Sequence, residues 1–120
     1  LMRAEKLGKR ASKAGFDWPD IESVFKKINE EIKELRYELE KNIIPHKKVE
    51  LELGDILLTI VSLARHLNVD PELALRNGNN KFEKRFRFVE KKLAKIRKKP
   101  EEANLKEYEL LWHEAKLKNI

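Results

Sequence analysis

Cysteine is absent from the 120 residues. That excludes a disulfide framework, a thiolate metal site and a cysteine nucleophile. Glycine and proline occur four times each, too rarely for a low-complexity chain. No run of eighteen apolar residues exists, so no segment reads as a membrane span. No secretory leader is visible either. The three histidines, His46, His66 and His113, show no zinc spacing, and no glycine-rich phosphate loop is present. Ser12, Ser23 and Ser62 have no recognisable base-and-oxyanion motif around them. What is plentiful is charge. Lys and Arg number 27 against 21 Asp and Glu, a formal net charge of +6, and charged residues make up 40% of the chain. High charge of both signs with helical periodicity points to an all-α, soluble protein of one domain, residues 1–120, expected in the cytoplasm. The basic excess implies an anionic partner, without saying whether that is nucleic acid, a membrane or a small phosphate compound.

The apolar spacing predicts four or five helices packed as a bundle. Leu1–Ala14 reads as a helix stopped by Gly15. After the turn Gly15–Pro19, Asp20 caps a second helix running to about Lys41, with the stripe Ile21, Val24, Phe25, Ile28, Ile32, Leu35 and Leu39. A third runs from about Lys47 to Leu67. Its stretch Ile56–Val61 is apolar on nearly every side, which predicts a central helix buried on most faces. Asp70 and Pro71 restart the chain as N-cap and first helical residue. The fourth helix is expected to loosen at Asn77–Asn80, continue to about Lys98 and end at Pro100. The last begins near Asn104. Such long helices in a short chain often complete their core by pairing with a second copy.

Two groups of charged residues stand out. The second helix carries Glu30, Glu31 and Glu34, with Glu38 one turn on; a solvated acidic face neutralised by Lys27, Lys33 and Arg36 is the plain explanation. The third helix shifts that balance. Lys48, Glu52, Asp55, Thr59, Ser62 and His66 fall within about 80° of one another on the helical wheel. They form one polar stripe on an otherwise apolar helix. Carboxylates beside a buried core are costly unless they meet cations. A buried salt bridge with Lys or Arg would supply them; so would a metal. Two acid pairs spaced i,i+3 on neighbouring antiparallel helices can place four carboxylates, Glu31, Glu34, Glu52 and Asp55, around one point. An all-oxygen set suits a hard cation, Mg²⁺ or Mn²⁺, that bridges to phosphate. Gly54, between Glu52 and Asp55, costs about 1 kcal/mol relative to Ala in a helix, and suggests close approach by a neighbouring backbone or a ligand.

The basic group lies on the fourth helix. Residues 81–99 hold ten Lys/Arg and two Glu. Lys81 and Arg85, four apart, border the apolar line Phe82, Phe86, Val89 and Leu93 and can reach a groove. They read as a phosphate clamp, whereas Lys91–Lys99 reads as a solvated face.

Taken in order, these residues resemble the MazG family of nucleoside triphosphate pyrophosphohydrolases, an all-α NTP pyrophosphatase group. Glu30-Glu31-x-x-Glu34 followed by Glu52-x-x-Asp55 is similar to the family's acidic motif. Lys81-Phe82-Glu83-Lys84-Arg85-Phe86-Arg87 is similar to its basic one. Gly15-Phe16-Asp17-Trp18, Leu63–Leu67 and Leu111-Trp112 also match. The likeness is greatest to the C-terminal catalytic half of two-domain bacterial members. With the unusual opening Leu1-Met2, it makes the chain an expected fragment of a longer two-repeat protein. The resemblance implies Glu31, Glu34, Glu52 and Asp55 as catalytic metal ligands for Mg²⁺ (or Mn²⁺). It implies Lys48, Lys81 and Arg85 as phosphate contacts, and Trp112 beside the nucleotide, although core packing with Leu111 and Tyr108 explains a terminal-helix tryptophan equally well. Asn79 matches too, but lies about 160° from Lys81 on a regular helix. The implied activity is hydrolysis of NTPs to monophosphate and pyrophosphate in nucleotide house-cleaning, by a homodimer with no membrane or nucleic-acid partner. The rival is a basic helical nucleic-acid-binding protein using Lys81–Lys99, without catalysis.

Overall fold

In the computed structural model, which describes residues 1–120, the apolar spacing becomes five α-helices and no strand. They are α1 (Met2–Lys13), α2 (Ile21–Leu39), α3 (His46–His66), α4 (Pro71–Lys95) and α5 (Leu105–Leu117), with a 3₁₀ turn at Pro100–Glu102. The all-α reading therefore holds. No helix is long and apolar enough to cross a membrane.

Local chemistry sets the helix ends. Asp20 accepts a hydrogen bond from the Ser23 amide at 2.8 Å and starts α2. Asp70 accepts from the Glu72 amide at 2.9 Å and starts α4 at Pro71. Asn104 and Glu107 form a reciprocal capping box at the start of α5. Four helices stop on one device, a residue with positive φ whose successor's amide reaches back to the last turn: Gly15, Asn68, Arg97 and Asn119.

Arg97 corrects the expected end of α4. The helix finishes at Lys95, because Arg97 turns left-handed (φ 56°) and the Lys98 amide bonds to the Leu93 carbonyl at 2.9 Å. Pro100 opens the 3₁₀ turn instead of closing the helix. The loosening expected at Asn77–Asn80 is also absent; α4 is continuous there. Each Asn or Gly costs at most about 1 kcal/mol of helix propensity, too little to break a helix that is capped and packed on either side.

The chain divides into two units, Leu1–Ala74 and Leu75–Ile120. In the first, α2 and α3 form an antiparallel hairpin across the connector 40–45, and α1 packs on α3. Its buried apolar side chains are Val24, Ile56 and Val61. The long apolar run of α3 is not buried on most faces: Ile56, Thr59 and Val61 are, but Leu57, Leu58 and Ile60 are each nearly half exposed. Within this unit one face of α3 meets α1 and α2.

In the second unit the buried apolar residues are Val89, Leu93 and Ala115. The helices α4 and α5 run antiparallel across a short connector. Lys98 and Glu107 (2.7 Å) and Lys92 and Glu114 (3.3 Å) join them, and Phe82 packs on Trp112 with ring centres 5.2 Å apart.

Candidate metal centre and basic groove

The hairpin of the first unit sets the acidic residues of two helices against each other. Glu31, Glu52 and Asp55 each present a carboxylate oxygen, and these three atoms lie within 4.8 Å of one another. Glu34, one turn along α2 from Glu31 and solvent-exposed, helps raise Glu52 but is not one of the three converging acids. Three of the four acids expected at one point therefore meet.

The electrostatics of this cluster are unfavourable without a cation. Glu52 is held above the ordinary carboxylate range, first by desolvation, then by the Glu34 carboxyl and by the charges of Glu34, Glu31 and Asp55. Glu31 Oε2 and Glu52 Oε2 are both buried and accept no hydrogen bond. Orphaned buried acceptors of this kind are rare and call for a missing partner. An all-oxygen set with two unpartnered carboxylate oxygens fits a hard divalent cation.

One resident cation stands at the edge. Lys27 Nζ lies 2.9 Å from Glu31 Oε1, and the hydrogen bond to Glu31 raises the lysine above its ordinary range. Of the three cations expected to neutralise the α2 face, Lys27 does so; Lys33 and Arg36 form no ion pair. Glu38 belongs to a different pair. Its Oε2 lacks a well-directed hydrogen bond but has the Lys41 ammonium at 2.7 Å, so its charge is compensated.

The polar stripe of α3 divides in two. Thr59 donates to the Asp55 backbone carbonyl at 2.8 Å. His66 sits at the other end of the helix, 3.2 Å from Asp17. Asp17 is the hub of a network that sequence reasoning missed. Arg65 grips it with two hydrogen bonds (2.6 and 2.9 Å), and Ser12 and the Trp18 amide each donate at 2.9 Å. Arg65, above all, holds the Asp17 carboxyl far below the usual range. Lys48 is exposed in the first turns of α3, one turn before Glu52, and pairs with no acid. At Gly54 an added Cβ would meet nothing within 4 Å, so no neighbouring backbone makes the close approach that is one of the two explanations for a glycine there.

Lys81, Arg85 and Trp112 belong to the second unit. Lys81 and Arg85 line a cavity of about 530 Å³ with Asn77, Asn80, Lys84 and Lys116. The continuous helix keeps Asn79 out of that lining. The Trp112 ring packs on Phe82 and has the Arg85 guanidinium 5.6 Å from its centre. The residue also lines an open cavity of about 370 Å³ with Tyr108, Glu109, His113 and Lys116.

Comparison with known proteins identifies the family. A MazG nucleotide pyrophosphohydrolase domain matches residues 20–90, which include all four acids, Lys48, Lys81 and Arg85. The chain is 41% identical over 120 residues, its full length, to an Escherichia coli nucleoside triphosphate pyrophosphohydrolase, of which it covers 46%. It is 41% identical over 116 residues to the Thermotoga maritima nucleoside triphosphate pyrophosphohydrolase/pyrophosphatase MazG, covering 97% of this chain and 44% of that protein. It is also 38% identical over 73 residues to the uncharacterised Bacillus subtilis protein YabN, 60% of this chain and 15% of the other. The chain thus spans under half the length of the curated relatives it matches. With the domain match extending over more than half of its residues, the chain belongs to the MazG nucleotide pyrophosphohydrolase family.

Proposed function

We propose that this chain hydrolyses nucleoside triphosphates to a nucleoside monophosphate and pyrophosphate, in a Mg²⁺-dependent reaction that clears nucleotides from the cytoplasmic pool. The observation that carries the reading is the convergence of Glu31, Glu52 and Asp55 within 4.8 Å, with buried oxygens of Glu31 and Glu52 left unpartnered. Glu31, Glu34, Glu52 and Asp55 would hold the metal. When bound, Mg²⁺ supplies charge neutralisation for the triphosphate and lowers the pKa of water. The family membership and the printed names of the relatives support the substrate class.

The residues divide the remaining tasks by their surroundings. Hydrolysis adds water across the α–β phosphoanhydride; the bond to the bridging oxygen breaks and pyrophosphate leaves. Glu31 is tied to Lys27. Glu34 is exposed and bound to no cation, which suits it to position the water and take its proton. Lys81, Arg85 and Lys48 would stabilise charge on the transferred phosphoryl group and on the pyrophosphate. Trp112 offers a partly free aromatic face to a base.

The half-exposed Leu53, Leu57 and Ile60 on α3, spaced i, i+4 and i+7 along one side of the helix, support a homodimer in which a second copy covers this face. The test of the function is a nucleotide panel with and without Mg²⁺, scored for pyrophosphate against orthophosphate. Mg²⁺-dependent pyrophosphate release is expected; tight, steeply salt-dependent DNA or RNA binding without turnover would favour the nucleic-acid reading.

A further inference from the structure

We propose that Lys27 is the built-in counter-cation of the carboxylate centre, and that its charge sets how tightly the centre takes a divalent metal. The inference rests on the metal-binding reading above. Lys27 lies one helical turn before Glu31, with Nζ 2.9 Å from Glu31 Oε1 and 3.9 Å from Glu30 Oε2. Glu31 is only 5% exposed. A carboxylate so buried is strongly disfavoured without an opposite charge. Lys27 is the sole Lys or Arg whose side chain pairs with any of Glu31, Glu34, Glu52 and Asp55.

The lysine is not enclosed. Its side chain keeps 35% of its exposure, and it lines a cavity of about 440 Å³ together with Phe16, Trp18, Ser62 and Arg65. The ammonium therefore has space in which to move away from Glu31. In the metal-free protein it offsets the mutual repulsion of the clustered acids. Beside a divalent ion the same ammonium is a like charge at short range. Lys27 thus stabilises the metal-free form more than the metal-loaded form. By linkage, a group that does so weakens metal binding by that difference. The consequence is a centre that stays assembled while empty and takes its metal more weakly than four acids alone would.

The experiment is a Mn²⁺ titration by calorimetry of the full chain, its Lys27→Met and Lys27→Arg variants, and Glu52→Gln, with melting temperatures recorded in EDTA and in saturating Mn²⁺. Lys27→Met is expected to bind Mn²⁺ about tenfold more tightly, the order expected for removing a unit charge beside a divalent ion in a hydrated site. It should melt lower than the parent in EDTA, and the deficit should shrink in Mn²⁺. Lys27→Arg should stay within about twofold of the parent, since charge is kept. Unchanged or weaker Mn²⁺ binding by Lys27→Met overturns the proposal, as does an equal loss of melting temperature in both conditions, the mark of a merely structural lysine. If the parent takes no Mn²⁺, or takes it equally well after Glu52→Gln, the metal-centre reading falls and this proposal with it. If the parent binds through Glu52 and Lys27→Met binds no more tightly, only the role of Lys27 falls.

Discussion

Arg65 and Asp17, 48 positions apart in sequence, meet in a two-pronged ion pair with N–O distances of 2.6 and 2.9 Å. The pair ties the turn after α1 to the C-terminal end of α3. Arg65 also passes beside Gly8, where an added Cβ would lie 3.5 Å from its Nε. One guanidinium therefore holds the turn and lies alongside the helix before it.

Replacing Asp17 by Asn keeps the shape and removes the charge. The variant is expected to lose about 2 kcal/mol of stability, the range for hydrogen bonds to charged groups that become poorly paired. The pH dependence has a definite sign. Arg65 holds Asp17 below its unfolded value, so the unfolded state binds the proton more readily. The stabilisation is complete above about pH 4 and is lost as pH falls further toward the folded value. Urea unfolding between pH 2.5 and 7 checks this: below pH 4 the parent should lose stability more steeply than Asp17→Asn.

Glu52 carries the opposite sign. Desolvation and Glu34 raise it, so in metal-free protein its contribution favours the folded state at low pH and is lost as pH rises through the folded value. Metal and proton compete for the same oxygens. Mn²⁺ affinity is expected to fall as pH is lowered from 7 to 5, with proton release on binding. Calorimetry in buffers of different ionisation enthalpy measures that release; pH-independent affinity would remove Glu52 from the centre.

The exposed apolar face of α3 makes a separate prediction. Leu57, 48% exposed, would be covered in a dimer, and burying a carboxylate there without a partner is strongly unfavourable. Leu57→Glu is therefore expected to shift the protein from dimer to monomer in sedimentation equilibrium while its helical content persists. A parent that sediments as a monomer would contradict the dimer.

Much of this organisation is legible in the sequence, and the exceptions have physical reasons. Acids spaced i,i+3 on two helices joined by a short connector can face one another if the apolar stripes pack, so spacing raises a carboxylate cluster as one possibility, and the family resemblance is what implies Glu31, Glu34, Glu52 and Asp55; the structure brings Glu31, Glu52 and Asp55 together. Capping residues are local, so Asp20, Asp70 and Asn104 mark their helices correctly. The Asp17–Arg65 pair carries no local signature, since any turn acid and any helical arginine look alike until the fold brings them together. Lys27 was one of three cations on an acidic helix, and only side-chain packing separates it from Lys33 and Arg36. The end of α4 is not legible because Arg97 adopts a conformation that favours Gly or Asn, and Pro100 is a stronger but later stop. The extent of burial of α3 is not legible because an apolar helix surface does not say what covers it.

The most direct test of the central claim is pyrophosphate release from NTPs by the parent and by Glu52→Gln, each with Mg²⁺ and with EDTA. Loss of one carboxylate ligand should slow the reaction at least about a hundredfold, and EDTA should abolish it in the parent. Pyrophosphate and monophosphate should appear in equal amounts. Full activity of Glu52→Gln, or turnover that persists without a divalent metal, would contradict the account.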